Sequence, residues 1–182
     1  RLYRRDEKGR VVKDNDHLMD CLHPDTMVLT DHGKKRIKDL VGTTGRVLTV
    51  GGVYAPYKNC RQTHELEEMV EVVFGGQTIK CTKDHKFLTT DGWVEAIDLK
   101  GKLCYNALSH RINKRRQECN PRSFQKQKLV PESALERCLD VKGAKHSDTY
   151  CMEVPGTHAF AVEGGIVVHN CLRYLIMSGM AI

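Results

Sequence analysis

Apolar residues along this chain fall in short runs bounded by turn-forming residues, the pattern of strands rather than of long amphipathic helices. Thr26-Met27-Val28-Leu29-Thr30 is one such run, closed by Asp31-His32-Gly33. Arg46-Val47-Leu48-Thr49-Val50 is a second, stopped by Gly51-Gly52, and between them Arg36 to Leu40 predicts one helical turn. Met69 to Phe74 and Thr78 to Cys81 flank Gly75-Gly76-Gln77, and Lys86 to Thr90 and Trp93 to Ala96 flank Asp91-Gly92; both arrangements predict hairpins. The strand pattern fades after about residue 106 and returns at Thr149 to Val154, Ala159 to Val162 and Ile166 to Val168. The expected fold is therefore an all-β domain of short strands, without an internal repeat. Residues 107–135, basic and polar with Pro121 and Pro131, are expected to be a flexible linker.

The two ends differ from this middle. Residues 1–20 are polar, with a turn at Asp6-Glu7-Lys8-Gly9, and Arg1 to Asp6 lack the apolar core of a secretory signal. Cys171 to Ile182 are apolar but too few to span a membrane, and they resemble a helix taken from a larger core.

Charge is localised. The whole chain carries +6, and the stretch from Arg111 to Lys128 alone holds seven basic residues against Glu118. That stretch reads as a solvated basic loop, with nucleic-acid binding as the alternative use. Eight cysteines, Cys21, Cys60, Cys81, Cys104, Cys119, Cys138, Cys151 and Cys171, include no C-x-x-C pair. A zinc ribbon is thereby disfavoured, and in an unexported chain most of these thiols are expected to be small buried apolar groups.

Four features carry candidate chemistry: Cys21, the run Thr82-Lys83-Asp84-His85, His158, and the run His169-Asn170-Cys171. Each is commonplace alone; their order and spacing are not. The segment from Cys21 to Leu40, the segment from Gly75 to Leu103 with Thr82 and His85 in T-x-x-H spacing, and the segment from Thr149 to Cys171 with His158 in an H-x-F run together resemble the hedgehog/intein (Hint) family, and within it a mini-intein. The resemblance implies a horseshoe-like fold of short strands whose termini meet at a splice site. It divides the chain into a host segment at 1–20, a splicing domain at 21–106 and 136–170, the linker at 107–135 in place of a homing endonuclease, and a second host segment at 171–182. It implies that residues 21–170 excise themselves and join Asp20 to Cys171, acting in cis as a monomer, without endonuclease activity, cofactor, metal, membrane or nucleic acid, in the cytoplasm of a bacterial or phage-infected cell.

The residue types suit that chemistry independently. A thiol whose own amide nitrogen is acylated, as Cys21 is by Asp20, can exchange amide for thioester, an uphill step because amide resonance is lost. His85, with an unperturbed pKa of about 6.5, is the candidate donor to the leaving nitrogen, and Thr82 is expected to orient the imidazole or the scissile carbonyl. Cys171 would then take the acyl group, and the side-chain amide of Asn170 would attack its own carbonyl to close a succinimide, with His158 and His169 assisting. The thioester joining the host pieces relaxes to an amide. Many relatives carry an acid where Cys151 stands, so its role is open between tuning and spacing. Cys21, Cys151 and Cys171 are expected to lie close together, so that oxidation would pair two of them.

The flanks have a reading of their own. Joined, Asp16-His17-Leu18-Met19-Asp20 and Cys171-Leu172-Arg173-Tyr174 resemble the end of the nuclease domain of phage large terminases, with His17 and Asp20 as metal ligands of the spliced host. The remaining alternatives are a hedgehog-type domain that cleaves without ligating, disfavoured by Asn170-Cys171, and a basic nucleic-acid-binding module.

Overall fold

A computed structural model describes residues 21–108 and 132–170, together with the paired strands β1 (Arg4–Arg5) and β2 (Val11–Val12). His17, Asp20, Cys171 and most of the expected linker lie outside the described residues.

Twelve strands build the domain: β3 (Met27–Thr30), β4 (Gly33–Arg36), β5 (Gly45–Leu48), β6 (Tyr54–Val73), β7 (Thr78–Thr82), β8 (Lys86–Thr89), β9 (Gly92–Glu95), β10 (Leu103–Tyr105), β11 (Leu135–Arg137), β12 (Asp140–Glu153), β13 (Ala159–Ala161) and β14 (Val167–His169). Among the described residues the only helical elements are short 3-10 turns. One sheet runs β12-β6-β5-β3-β4 with β7 also on β6; the other runs β11-β10-β8-β14-β13 with β9 also on β8. Val28 of β3 bridges Val162 beyond β13, tying the sheets together. Val28, Ile37, Val47, Phe87, Phe160 and Val168, all buried, form the core between them.

The expected turns form for visible reasons. Thr30 Oγ1 accepts the His32 N–H (3.2 Å) and donates to the Gly33 carbonyl (2.7 Å). Gly33 takes φ +94°, a region open to glycine at little cost. Thr89 repeats both bonds with Asp91 (3.1 Å) and Gly92 (2.8 Å), and Gly92 takes φ +102°.

This likeness extends well past the turns, contrary to the expectation of no repeat. The backbone bonds Thr26 N to His23 O, Ile37 N to Thr26 O, Lys38 N to Pro24 O and Thr43 N to Leu40 O recur fifty-nine residues later. There they are His85 N to Thr82 O, Ala96 N to His85 O, Ile97 N to Lys83 O and Lys102 N to Leu99 O. The Val50–Gly52 turn, with Gly51 at φ 80°, matches the Glu163–Gly165 turn, with Gly164 at φ 74°. The repeat is also written in the side chains: Asp25, Leu29, Thr30, Gly33, Asp39, Leu40 and Gly42 recur as Asp84, Leu88, Thr89, Gly92, Asp98, Leu99 and Gly101.

Two long strands were also missed. β6 begins at Tyr54, fifteen residues before the expected Met69, and β12 at Asp140, nine before Thr149. They pair antiparallel along their length with several register shifts, and Asn59 and Leu66 sit at positive φ. Such bulges break the period-two alternation by which a strand is read. Ala107, Ala134 and Leu135, expected to lie in the linker, belong to the described fold. Ala107 and Ala134 are buried, the Ala107 N–H bonds Gly165 O at 2.8 Å, and Leu135 opens β11 against β10.

Candidate functional site: the two ends of the domain

Cys21 enters the fold beside β7 and β12. Leu22 bridges both strands: its N–H and carbonyl exchange two 2.9 Å bonds with Tyr150, and the His23 N–H bonds Lys80 O at 3.0 Å. In an antiparallel ladder the pair next to a doubly bonded pair is the close, non-bonded one. That pair here is Cys21 and Cys151, and the two buried thiols form their own small cluster.

Thr82, the last residue of β7, grips the backbone of Cys21. Its hydroxyl accepts the Cys21 N–H at 3.3 Å, and its own N–H donates to the Cys21 carbonyl at 3.0 Å. The hydroxyl thus contacts the nitrogen of the bond that precedes Cys21. The turn Thr82-Lys83-Asp84-His85 closes through His85 N–H to Thr82 O at 3.1 Å, which fixes His85 relative to Thr82. The His85 ring is fully buried and stands edge-on to Phe87, centroids 5.6 Å apart.

At the other end Asn170 is fully buried. Its backbone N–H bonds the His158 carbonyl at 3.0 Å. Its side-chain NH2 donates to the same carbonyl at 2.8 Å while its side-chain oxygen accepts the Val154 N–H at 3.0 Å. His158 sits at φ +51°, uncommon for a residue with a side chain, and its Nδ1 is buried without a hydrogen-bond partner among the described residues. A side chain in that backbone region is strained by about 1–3 kcal/mol. His169 packs edge-on against Trp93 at 4.8 Å.

Register brings the two ends into one row. Phe87 pairs with Val168 between β8 and β14, and Ala159 pairs with His169 between β13 and β14. Continued past the strand ends, these registers put His85 level with Asn170, and His158 level with Asn170 on the other side. His85 and Asn170, eighty-five positions apart in sequence, are thereby level with each other. Thr82 links that row to Cys21. Cys21, Thr82, His85, His169 and Asn170 are each at most 8% exposed, so the cluster is dry and its hydrogen bonds are strengthened.

Reasoning from sequence missed Thr63 and Thr149. The Thr63 hydroxyl lies 3.0 Å from Cys21 Sγ and 2.9 Å from the Thr149 hydroxyl. Thr63 lies outside every segment singled out from sequence, and Thr149 only opens one; the pairing of β6 with β12 brings them to the thiol. The other described cysteines are buried as well. Burial pushes the Cys60 thiol up to about 12 and raises Cys104 and Cys138, so these stay protonated near neutral pH.

No protein-family profile matches the chain. Solved structures do. A DnaB intein from Synechocystis sp. PCC 6803 superposes with a TM-score of 0.62 at 18% identity, over 82% of this chain and 97% of that one. The gp41-1 intein superposes at 0.59 and 23% identity, covering 82% and 98%, and the MchDnaB-1 intein at 0.62 and 18%, covering 82% and 99%. The chain has the Hint fold. In sequence, 159 residues are 30% identical to the ribonucleoside-diphosphate reductase large subunit of Invertebrate iridescent virus 6, which covers 87% of this chain. The chain spans only 15% of that relative's length. A reductase relative gives the terminase reading of the flanks no support.

Proposed function

We propose that residues 21–170 are a mini-intein that splices itself out of a host protein in a single turnover, joining Asp20 to Cys171. The observation that carries this reading is the convergence of the two ends: Thr82 holds the Cys21 nitrogen, and the strand registers set fully buried His85 and Asn170 in one row with half-buried His158.

The steps follow from the positions. Cys21 Sγ bonds to the carbonyl carbon of Asp20, the C–N bond breaks, and the thiol proton ends on the Cys21 nitrogen. His85 delivers it, and Thr82, whose hydroxyl accepts the Cys21 N–H, orients that nitrogen. Cys171 then takes the acyl group from Cys21. Asn170 closes its succinimide and releases the domain, His158 and His169 polarising the Asn170 carbonyl or protonating the departing nitrogen. Burial matters as much as acid–base help, because water would hydrolyse the thioester before transfer.

The reading includes action in cis as a monomer, without cofactor or nucleic acid, in a reducing cytoplasm that suits a reaction of free thiols. No endonuclease activity is expected, since the expected insert of 107–135 is short. The D-H-x-x-D-x-x-R-Y run in the joined flanks, His17 and Asp20 included, supports a terminase host. The reductase relative favours insertion in a different host enzyme, and the chain's 15% share of that protein suits an inserted element.

Intact mass after expression tests the proposal. Splicing yields a free species of residues 21–170 and a joined product of residues 1–20 with 171–182. Unligated pieces would indicate a hedgehog-type cleaving domain. An unchanged chain with steeply salt-dependent DNA affinity would indicate a basic binding module instead.

A further inference from the structure

We infer that Thr63, backed by Thr149, is a positioning residue for the nucleophile, its hydroxyl switching between two hydrogen-bonding states as Cys21 ionises. The splicing reading supplies only what the thiol attacks; the hydroxyl cluster stands without it.

Thr63 lies on β6, remote in sequence from every motif, yet three groups surround its hydroxyl: Cys21 Sγ at 3.0 Å, the Thr149 carbonyl at 3.0 Å and the Thr149 hydroxyl at 2.9 Å. A hydroxyl has one proton and two lone pairs. Donating to the Thr149 carbonyl, it accepts from the Cys21 S–H and the Thr149 O–H, and all three contacts are satisfied. That state fits the neutral thiol. A thiolate cannot donate, so it needs a donor at the same place. Rotation about the Cβ–Oγ bond turns the Thr63 proton from the carbonyl to the sulfur, without moving a heavy atom. Thr149, fully buried, still donates into the Thr63 oxygen and polarises it. A hydrogen bond to an ionised acceptor is about twice as strong as a neutral one, so the switch favours the form that attacks.

Cys151, the cross-strand partner of Cys21, packs against the same thiol. Other titratable or charged groups on the packed elements include Arg61, His64 and Glu67 on β6, Lys80 and Cys81 on β7, Asp84 and His85 in the turn after it, and Asp148, Tyr150 and Glu153 on β12. None changes in a Thr63 variant, so a difference reports the hydroxyl.

The test uses the full chain with Asn170→Ala, in which thioester formation should proceed and Asn170 cleavage should not. Two quantities are followed against pH: release of the N-terminal piece by added dithiothreitol, and the Cβ shift of Cys21 in cysteine-labelled protein by NMR. Thr63→Val should slow release about tenfold at neutral pH and raise the Cys21 titration midpoint by about one unit, the value of one charge-assisted hydrogen bond. Thr63→Ser should restore both to near the parent. In a Cys21→Ala background, Thr63→Val should leave cleavage after Asn170 unchanged, which shows that the fold survives. An unmoved midpoint in Thr63→Val, or equal loss in the Val and Ser variants, overturns the inference. If the parent releases no N-terminal piece, the splicing reading fails while the titration still judges Thr63.

Discussion

Residues 23–43 and 82–102 have the same backbone and opposite chemistry. The equivalence at a spacing of fifty-nine places Thr26 where His85 stands and His23 where Thr82 stands. T-x-x-H in one half is thus H-x-x-T in the other. Both central residues are buried, and both donate their N–H three residues back to close the same turn. Yet only the second half meets a chain end: Thr82 touches the Cys21 nitrogen, and His85 lies level with Asn170. His23 is half-exposed beside Asp25 and Lys80 instead. The turn is a scaffold that either half builds; its chemistry depends on what the rest of the fold brings to it.

The comparison breaks most sharply at its central pair. His85→Ala should reduce dithiothreitol-induced N-terminal cleavage by a factor on the order of 100 or more, the scale of a lost general acid. Thr26→Ala should leave that rate within about twofold, since it touches no reacting group. Equal losses would mean that the imidazole acts only as packing. The readout is cleavage rate in the Asn170→Ala background.

Oxidation should act at the entry strand alone. Cys21 and Cys151 form a close cross-strand pair, whereas Lys80, the counterpart of Cys21, has no thiol to offer. Oxidised glutathione should join the two thiols by disulfide exchange, each new bond releasing two equivalents of reduced glutathione, and should halt splicing until dithiothreitol restores it. Peptide mapping reads the bridge, and Cys151→Ala should splice under the same oxidant. Persistence of free Cys21 in the oxidised protein would sink the expectation.

Smaller effects should be equal in the two halves. Gly33 and Gly92 take φ +94° and +102°, so an alanine at either is strained, by about 1–2 kcal/mol. Gly33→Ala and Gly92→Ala should lower stability to urea alike, the first without slowing cleavage. A difference above about 1 kcal/mol would show that the turns are not energetically equivalent.

The smallest effect is one of pH. Partial burial lowers the His23 pKa, with Lys80 and Lys38 adding to the shift and Asp25 opposing it. The folded chain therefore binds this proton less tightly than the unfolded one. Stability falls as pH drops below about 6.5, and the loss levels off below the folded pKa. Because His23 is half-exposed the change should stay under about 0.5 kcal/mol after solvent screening. Thr82, its counterpart, cannot titrate. His23→Gln should flatten this part of the urea midpoint against pH, and an unchanged slope would assign it to other groups.

Local pattern was enough for the short strands. Met27 to Thr30, Lys86 to Thr89 and Ala159 to Ala161 are buried runs ended by glycine-bearing turns, and both their ends are written in neighbouring residues. The candidate positions Cys21, Thr82, His85, His158, His169 and Asn170 could be singled out from sequence because their order and spacing resemble a family pattern. The tertiary structure alone decided the rest. β6 and β12 are held by each other along shifted registers, so Arg61 to Glu68 and Asp140 to Ser147 carry polar, exposed residues without alternation. The repeat escaped notice because its identities, Leu29-Thr30 with Leu88-Thr89 and Asp39-Leu40 with Asp98-Leu99 among them, are separated by unlike residues such as Lys34-Lys35-Arg36 against Trp93-Val94-Glu95. Thr63 and Thr149 escaped it because a hydroxyl acquires meaning only from what lies within about 3 Å, and strand pairing, not sequence proximity, sets that neighbourhood.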